Sequence, residues 1–156
     1  METVYINSPL GITTIIGDED GISAISVMQE GEVSSKIPEI LKEAVLQLNE
    51  YFEGNRTVFT LKLNPKGTEF QQKVWKSLLE IPYGKTVSYM DQTKKLGDIK
   101  AIRAVASANG KNPLWIVIPC HRVIGTDGSL TGYAGEIWRK KWLLEFENPV
   151  KQQSLF

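Results

Sequence analysis

The chain has 156 residues, 18 basic and 18 acidic side chains, and a hydrophobic share of 42%. That suffices to bury the core of one ordinary domain or two small ones, while no stretch approaches the ~20 apolar residues of a membrane span. One cysteine and one histidine exclude an internal disulfide and a zinc site built from cysteine clusters, and an unpaired thiol fits a reducing cytosol. The start, Met1 to Tyr5, lacks a basic segment followed by an apolar one, so no export signal is expected. The neutral total hides a division. Residues 1–65 carry ten acids against four bases, and residues 66–156 carry eight against fourteen. Such asymmetry fits a polyanionic partner for the basic half, or simply a bipolar surface that keeps the protein soluble.

In chain order, Ile12–Ile16 and Ile22–Met28 are β-branched runs around Gly17-Asp18-Glu19-Asp20-Gly21, which predicts a hairpin. Pro38 opens a segment with Ile40, Leu41, Ala44, Val45 and Leu48 on one face, closing at Gly54; it reads as an amphipathic helix. Phe59, Leu61 and Leu63 alternate with polar residues, as in a half-buried strand. Asn64-Pro65-Lys66-Gly67 marks a domain boundary, giving domains 1–65 and 66–156. Thr68 and Gln71 then have capping-box spacing before a helix that ends at Pro82 and Gly84. Ser88 caps a short helix closing at Leu96-Gly97, and Asp98 caps another running to about Gly110. Two short helices joined by a tight glycine turn outline a helix-turn-helix. A strand from Trp115 to Ile118, a turn and a Gly-rich stretch to Gly135 would complete a winged module, followed by a last helix with Trp138, Trp142, Leu143 and Phe146.

Chemistry concentrates where the lone cysteine meets the lone histidine, Cys120-His121. A thiol is a strong nucleophile only as thiolate, and an adjacent imidazole is a common acceptor for its proton. A single cysteine behind an apolar run is also commonly a small buried hydrophobe. The segment Lys100 to Ala108 is rich in small side chains, including Ala101 and Ala104. Small side chains suit close approach to a minor groove, or equally packing on the protein's own core. Arg103 on the same segment is either a solvated helix arginine or a wedge that fills the space of an extruded base.

Asn112-Pro113, Ile118-Pro119-Cys120-His121-Arg122-Val123-Ile124, Gly132-Tyr133-Ala134-Gly135 and Trp142-Leu143-Leu144 with Glu147 resemble the O6-alkylguanine-DNA alkyltransferase family. The resemblance is strongest over residues 68–147. It implies an α+β chain, with a ribonuclease-H-like αβ amino-terminal domain and a winged helix-turn-helix carboxy-terminal domain holding the cysteine. It further implies that Cys120 accepts the alkyl group, His121 acts as base through a water, Glu147 orients His121, and Asn112 braces the turn. Tyr89 would donate a hydrogen bond to the guanine, although by spacing it could equally be a core residue. Arg103 would intercalate, Ala101 and Ala104 would line the groove, and Arg122, Val123, Ala134 and Trp115 would contact DNA or the flipped base. The partner implied is double-stranded DNA carrying O6-alkylguanine, with no cofactor, no metal, no membrane and no obligate protein partner, in a cytoplasmic monomer.

Two departures from the family pattern stand out. Ala134 has no hydroxyl, so a contact to the leaving oxygen would come from backbone, and Glu136 replaces a second glycine. Trp115 stands where some relatives carry a smaller residue. No Cys or His precedes residue 120, so the amino-terminal zinc of vertebrate members cannot be held in the same way. A non-enzymatic DNA-binding protein and a cysteine acyl hydrolase are the rival readings; Cys120 opposes the first, and the basic half has no task in the second.

Overall fold

β-Branched residues crowd the first thirty positions, and there they form an antiparallel meander of β1 (Glu2–Ser8), β2 (Gly11–Asp18) and β3 (Gly21–Met28), in that order. The pairing runs from Glu2 opposite Gly17 to Ser8 opposite Gly11, then from Ile12 opposite Met28 to Asp18 opposite Gly21, with a bulge at Ile16/Gly17. β1, with alternating buried residues Val4 and Ile6, extends the expected hairpin by one strand. The predicted second element is a single 3-10 turn (Glu39–Leu41) running into α1 (Lys42–Phe52). It buries Leu41, Ala44, Val45 and Leu48 of the stripe read from the sequence, whereas Ile40 is exposed, and the 3-10 turn packs on β1 and β2.

The free edge of β3 is closed by two short parallel bridges rather than by strands. Ile22 pairs with Leu63 and Ile25 with Leu114, through Ile22 N–H to Lys62 O at 2.9 Å and Ile25 N–H to Pro113 O at 2.8 Å. Covering an edge in this way prevents pairing with another chain. The expected strand over 59–63 is therefore reduced to Leu63. The expected strand Trp115–Ile118 is absent because Ile116 sits at φ 71°, a left-handed conformation that breaks an extended run.

The helical part begins with α2 (Glu69–Leu78). Thr68 Oγ1 accepts from Gln71 N–H at 3.1 Å and Gln71 Oε1 accepts from Thr68 N–H at 2.9 Å, a complete capping box. β4 (Val87–Ser88) leads into α3 (Tyr89–Leu96), where Ser88 Oγ accepts from Asp91 N–H and Gly97 closes the helix at φ 102°. Asp98 caps a 3-10 turn (Ile99–Ala101) that continues as α4 (Ile102–Gly110). After a 3-10 turn at Cys120–Arg122, β5 (Val123–Ile124) pairs parallel with β4, and α5 (Ile137–Glu147) ends the fold. Val74, Val105 and Ala108 form a core shared by α2 and α4, and Trp75 Nε1–H donates to Ala108 O at 2.8 Å.

The structure, a computed structural model, describes residues 1–130 and 136–149. It is mixed α+β and divides into one unit of residues 1–66 with 113–117 and a second of residues 67–112 with 118 onward. Among the described residues no helix is long and apolar enough to cross a membrane. The capping box sets where the second unit's first helix starts. Thr68→Ala should lower stability by about 1 kcal/mol, read as an earlier urea midpoint with unchanged slope.

Candidate active site

Three elements of the second unit converge on Cys120. The parallel pair β4–β5 sets Val87 opposite Val123, so the start of α3, where Tyr89 lies, is tied to the strand that follows the Cys120–Arg122 turn. Pro119 precedes that turn, and Cys120 N–H and Arg122 N–H bond back to Ile118 O and Pro119 O at 2.9 and 3.0 Å. Asn112, just beyond α4, donates from Nδ2 to Ile118 O at 2.7 Å and to Cys120 Sγ at 3.3 Å. The bracing expected of Asn112 thus falls on the sulfur itself as well as on the backbone.

On the other side of the turn lies Glu147, in the last turn of α5. Its Oε2 accepts from His121 Nε2 at 2.8 Å, and Arg122 donates through Nε to Oε1 at 2.9 Å and through Nη2 to Oε2 at 3.0 Å. A carboxylate only accepts, so Nε2 must carry the imidazole proton and Nδ1 must present a lone pair. Nδ1 is buried and has no hydrogen-bond partner among the described residues. Burial pushes His121 below its ordinary range, so at neutral pH the ring is uncharged and the ion pair is Arg122 with Glu147. Burial alone would raise the Glu147 carboxyl, but the His121 and Arg122 bonds and charge outweigh it and hold it at about 2.

The thiol is pushed up by burial, and the Asn112 hydrogen bond and the charge of Lys140 pull it only part of the way back. Lys140 stands two turns before Glu147 on α5, is 1% exposed, and places Nζ 5.6 Å from the centroid of the Tyr89 ring. Burial pushes its ammonium down to about 8 against the opposing pull of Cys120. Tyr89 is raised by burial and then by the charge of Cys120. A thiol, a phenol and an amine therefore share one partly dry neighbourhood.

Several expected residues lie elsewhere. Arg122, expected to contact DNA or the flipped base, is 7% exposed: it bonds Glu147, donates from Nη1 to Ile81 O at 2.7 Å and lies over the Tyr83 ring. Trp115 belongs to the first unit, where it is buried beside Phe52 with ring centroids 6.5 Å apart. Val123 is fully buried, whereas Arg103 and Ala104 are exposed on α4 and Ala101 is half-buried just before it. Ala134 lies outside the described residues. The sequence reading missed Lys140 and the structural task of Arg122, because a lone charge on a helix or in a loop looks like a solvated one. The i, i+7 spacing of Lys140 and Glu147, with Leu143 between them, was the available signal.

Removing one partner of a buried ion pair strands the other charge. Arg122→Met should therefore cost roughly 3–5 kcal/mol, measured by urea unfolding at pH 7. Glu147 is held at about 2 against an ordinary 4.5, so its contribution is whole above pH 4.5 and drains away as the pH falls toward 2. An acid titration of stability should show that decline in the wild type and a flatter limb in Glu147→Gln.

Two family models divide the chain between them. The 6-O-methylguanine DNA methyltransferase ribonuclease-like domain matches residues 1–65, and the DNA binding domain of the same family matches residues 69–149. The methylated-DNA–protein-cysteine methyltransferase of Methanosarcina acetivorans is 45% identical over 154 residues, covering 94% of this chain and 98% of its own. The crystal structure of the Mycobacterium tuberculosis O6-methylguanine methyltransferase superposes with a TM-score of 0.85 at 44% identity, covering 95% of this chain and 93% of that one. The Mycobacterium tuberculosis OGT in complex with DNA gives a TM-score of 0.84 at 46% identity, over 93% and 92% of the two chains. With both halves matched and the Cys120-centred cluster in place, this chain belongs to the 6-O-methylguanine DNA methyltransferase family.

Proposed function

We propose that this protein repairs DNA by direct reversal, taking the alkyl group of O6-alkylguanine onto Cys120 in a single irreversible transfer. The observation that carries the reading is one buried cluster: a thiol held by Asn112, next to an imidazole whose Nε2 is fixed on Glu147 and whose Nδ1 is left open. Nucleophile, base and orienter in that order are the logic of a triad applied to a thiol. The homologues named as methyltransferases and the relative bound to DNA supply the substrate class.

In the proposed step the thiol proton passes through a water to His121 Nδ1, and the imidazolium that forms is stabilised by Glu147. The sulfur lone pair forms a bond to the alkyl carbon while the carbon–O6 bond breaks, and its electron pair leaves on the guanine. Tyr89 gives its hydroxyl proton to the departing ring and is reprotonated from the imidazolium by way of water, so that net the proton moves from sulfur to guanine. The product thioether has no carbonyl for water to attack, so the protein is consumed. With both Cys120 and His121 shifted toward their neutral forms by burial, the resting pair is uncharged. Lys140 offsets part of that penalty once the thiolate forms.

The second domain, residues 66–156, would grip the duplex as a winged helix-turn-helix, with Arg103 and Ala104 on the exposed side of α4. Arg103 would fill the stack as the damaged base rotates out, a movement costing a few kcal/mol, less where pairing is already weakened. Residues 1–65 would form the accompanying domain. The protein would act without a cofactor, as a monomer, in a cytoplasm that keeps Cys120 reduced.

Duplex DNA with a labelled methyl on O6 of guanine should transfer one label per chain to Cys120, located by mass spectrometry, and Cys120→Ala should take none. An unlabelled Cys120 in folded protein overturns the reading; turnover of ester substrates would favour acyl transfer instead. Lys140→Met, which removes the positive charge beside the sulfur, should move the rise of transfer rate with pH to higher pH and slow transfer about tenfold at pH 7.5, in keeping with a shift of roughly one unit in the thiol.

A further inference from the structure

Between α3 and α4 lies a polar pair that the catalytic cluster does not include. Gln92 is 4% exposed and Asn109 3%, and their amides exchange two hydrogen bonds: Gln92 Nε2 to Asn109 Oδ1 at 2.9 Å and Asn109 Nδ2 to Gln92 Oε1 at 2.7 Å. Ser77 of α2 fixes the direction of the pair. Its hydroxyl donates to Val74 O at 2.6 Å, which leaves Oγ to accept from Gln92 Nε2 at 3.3 Å. The orientation of both amides follows from that spent proton.

An apolar core lies on the same helices. Val74, Val105 and Ala108 fill the adjoining core, and two apolar side chains of the same size would bury there without any desolvation cost. Reciprocal amide bonds add what such contacts lack, a single registry with defined direction. What they register is informative. Gln92 lies three residues after Tyr89 on α3. Asn109 accepts at its own backbone oxygen from Asn112 N–H, at 3.2 Å. Asn112 in turn donates from Nδ2 to Cys120 Sγ and Ile118 O. Hydrogen bonds thus join Ser77 to Gln92, Gln92 to the Asn109 side chain, the Asn109 backbone to the Asn112 backbone, and the Asn112 side chain to Cys120.

We infer that Gln92 and Asn109 are positioning residues for Cys120, fixing through Asn112 the donor that faces the sulfur and fixing Tyr89 in the same frame. They touch neither the thiol nor the base and act only through Asn112 and the start of α3. The inference deepens the repair reading and rests on it for the rate of transfer, but its reach to the sulfur is testable without DNA. A donor aimed at sulfur favours the thiolate, so losing its aim raises the pH at which the thiol reacts with a small alkylating agent.

The test uses the full chain, whose only cysteine makes the label unambiguous. One variant pairs Gln92→Met with Asn109→Leu, replacing the amides by apolar groups of similar size. A second pairs Gln92→Asn with Asn109→Gln, which exchanges the side chains and keeps the two amides. Alkylation of Cys120 by iodoacetamide is followed against pH, methyl transfer from O6-methylguanine duplex is timed, and affinity is measured for the same duplex without the lesion. The apolar pair should melt no earlier than the wild type and bind undamaged duplex equally. Its alkylation profile should nevertheless move up by about one pH unit and its transfer slow about tenfold, the scale of a small misplacement of reacting groups. The exchanged pair should recover most of both. An apolar pair with the wild-type profile and rate overturns the inference, and so does an exchanged pair no better than the apolar one. Should the apolar pair not fold, Gln92→Leu alone decides on the same alkylation profile, shifted in support or unshifted against. A wild type that transfers no methyl would sink the repair reading, while the alkylation profiles would still judge the positioning of sulfur.

Discussion

A buried carboxylate keeps its charge only when donors surround it, and Glu147 is met by two consecutive residues of one 3-10 turn. Arg122 supplies a two-pronged guanidinium and His121 a single N–H. The guanidinium answers the charge, and the imidazole bond makes use of it. Because Glu147 can only accept, it dictates which imidazole nitrogen is protonated and so which is free to take a proton. Arg122 carries the constraint further, since its remaining prong binds Ile81 O in the loop after α2. Orientation of the ring and its tautomer therefore share one electrostatic origin, which also ties the Cys120–Arg122 turn to the loop after α2.

The sulfur is governed by an opposing balance. Burial favours the neutral thiol, and only Asn112 and Lys140 lean the other way. For a reagent that acts once, this balance has a physical logic. A thiolate exposed at rest would be spent on oxidants and adventitious electrophiles, whereas a neutral thiol beside a neutral imidazole reacts with them more slowly. Lys140 fits the same economy: held near 8 by burial, its ammonium is close to losing its proton and gains most from a thiolate nearby.

What was legible in the sequence was what is decided locally. The Thr68 capping box, the caps at Ser88 and Asp98 and the glycine that closes α3 depend on residues within one turn, and each stands where the spacing put it. Cys120 and His121 were marked by an unusual string of residues, and Glu147 by the pattern of the last helix. Side chains whose meaning depends on a distant partner were not legible. Arg122 beside a histidine looks like a surface base until Glu147, 25 residues on, arrives. Lys140 on a charged helix looks solvated, and the buried stripe of α5 is too polar for apolar periodicity to expose it. Trp115 was assigned by position in a motif, whereas Ile116 at positive φ ends the extended run and the ring packs beside Phe52. Gln92 and Asn109 read singly as ordinary helix polars; only the α3–α4 contact pairs them.

The proposed chemistry explains why so much hydrogen bonding serves one sulfur. Acyl transfer can be driven largely by donors aimed at an oxyanion. Displacement at an alkyl carbon places little charge on that carbon and asks instead that nucleophile, carbon and leaving oxygen stand in line. Alignment then contributes a large share of the barrier reduction, and alignment is a property of the frame. Here the frame has supports from different elements: β4–β5 pairing at the start of α3, the Asn112 bonds at the end of α4, and the Glu147 clamp from α5. Restraint of a short turn from several elements narrows where its sulfur can stand, which is what an in-line attack on a rotated base would demand.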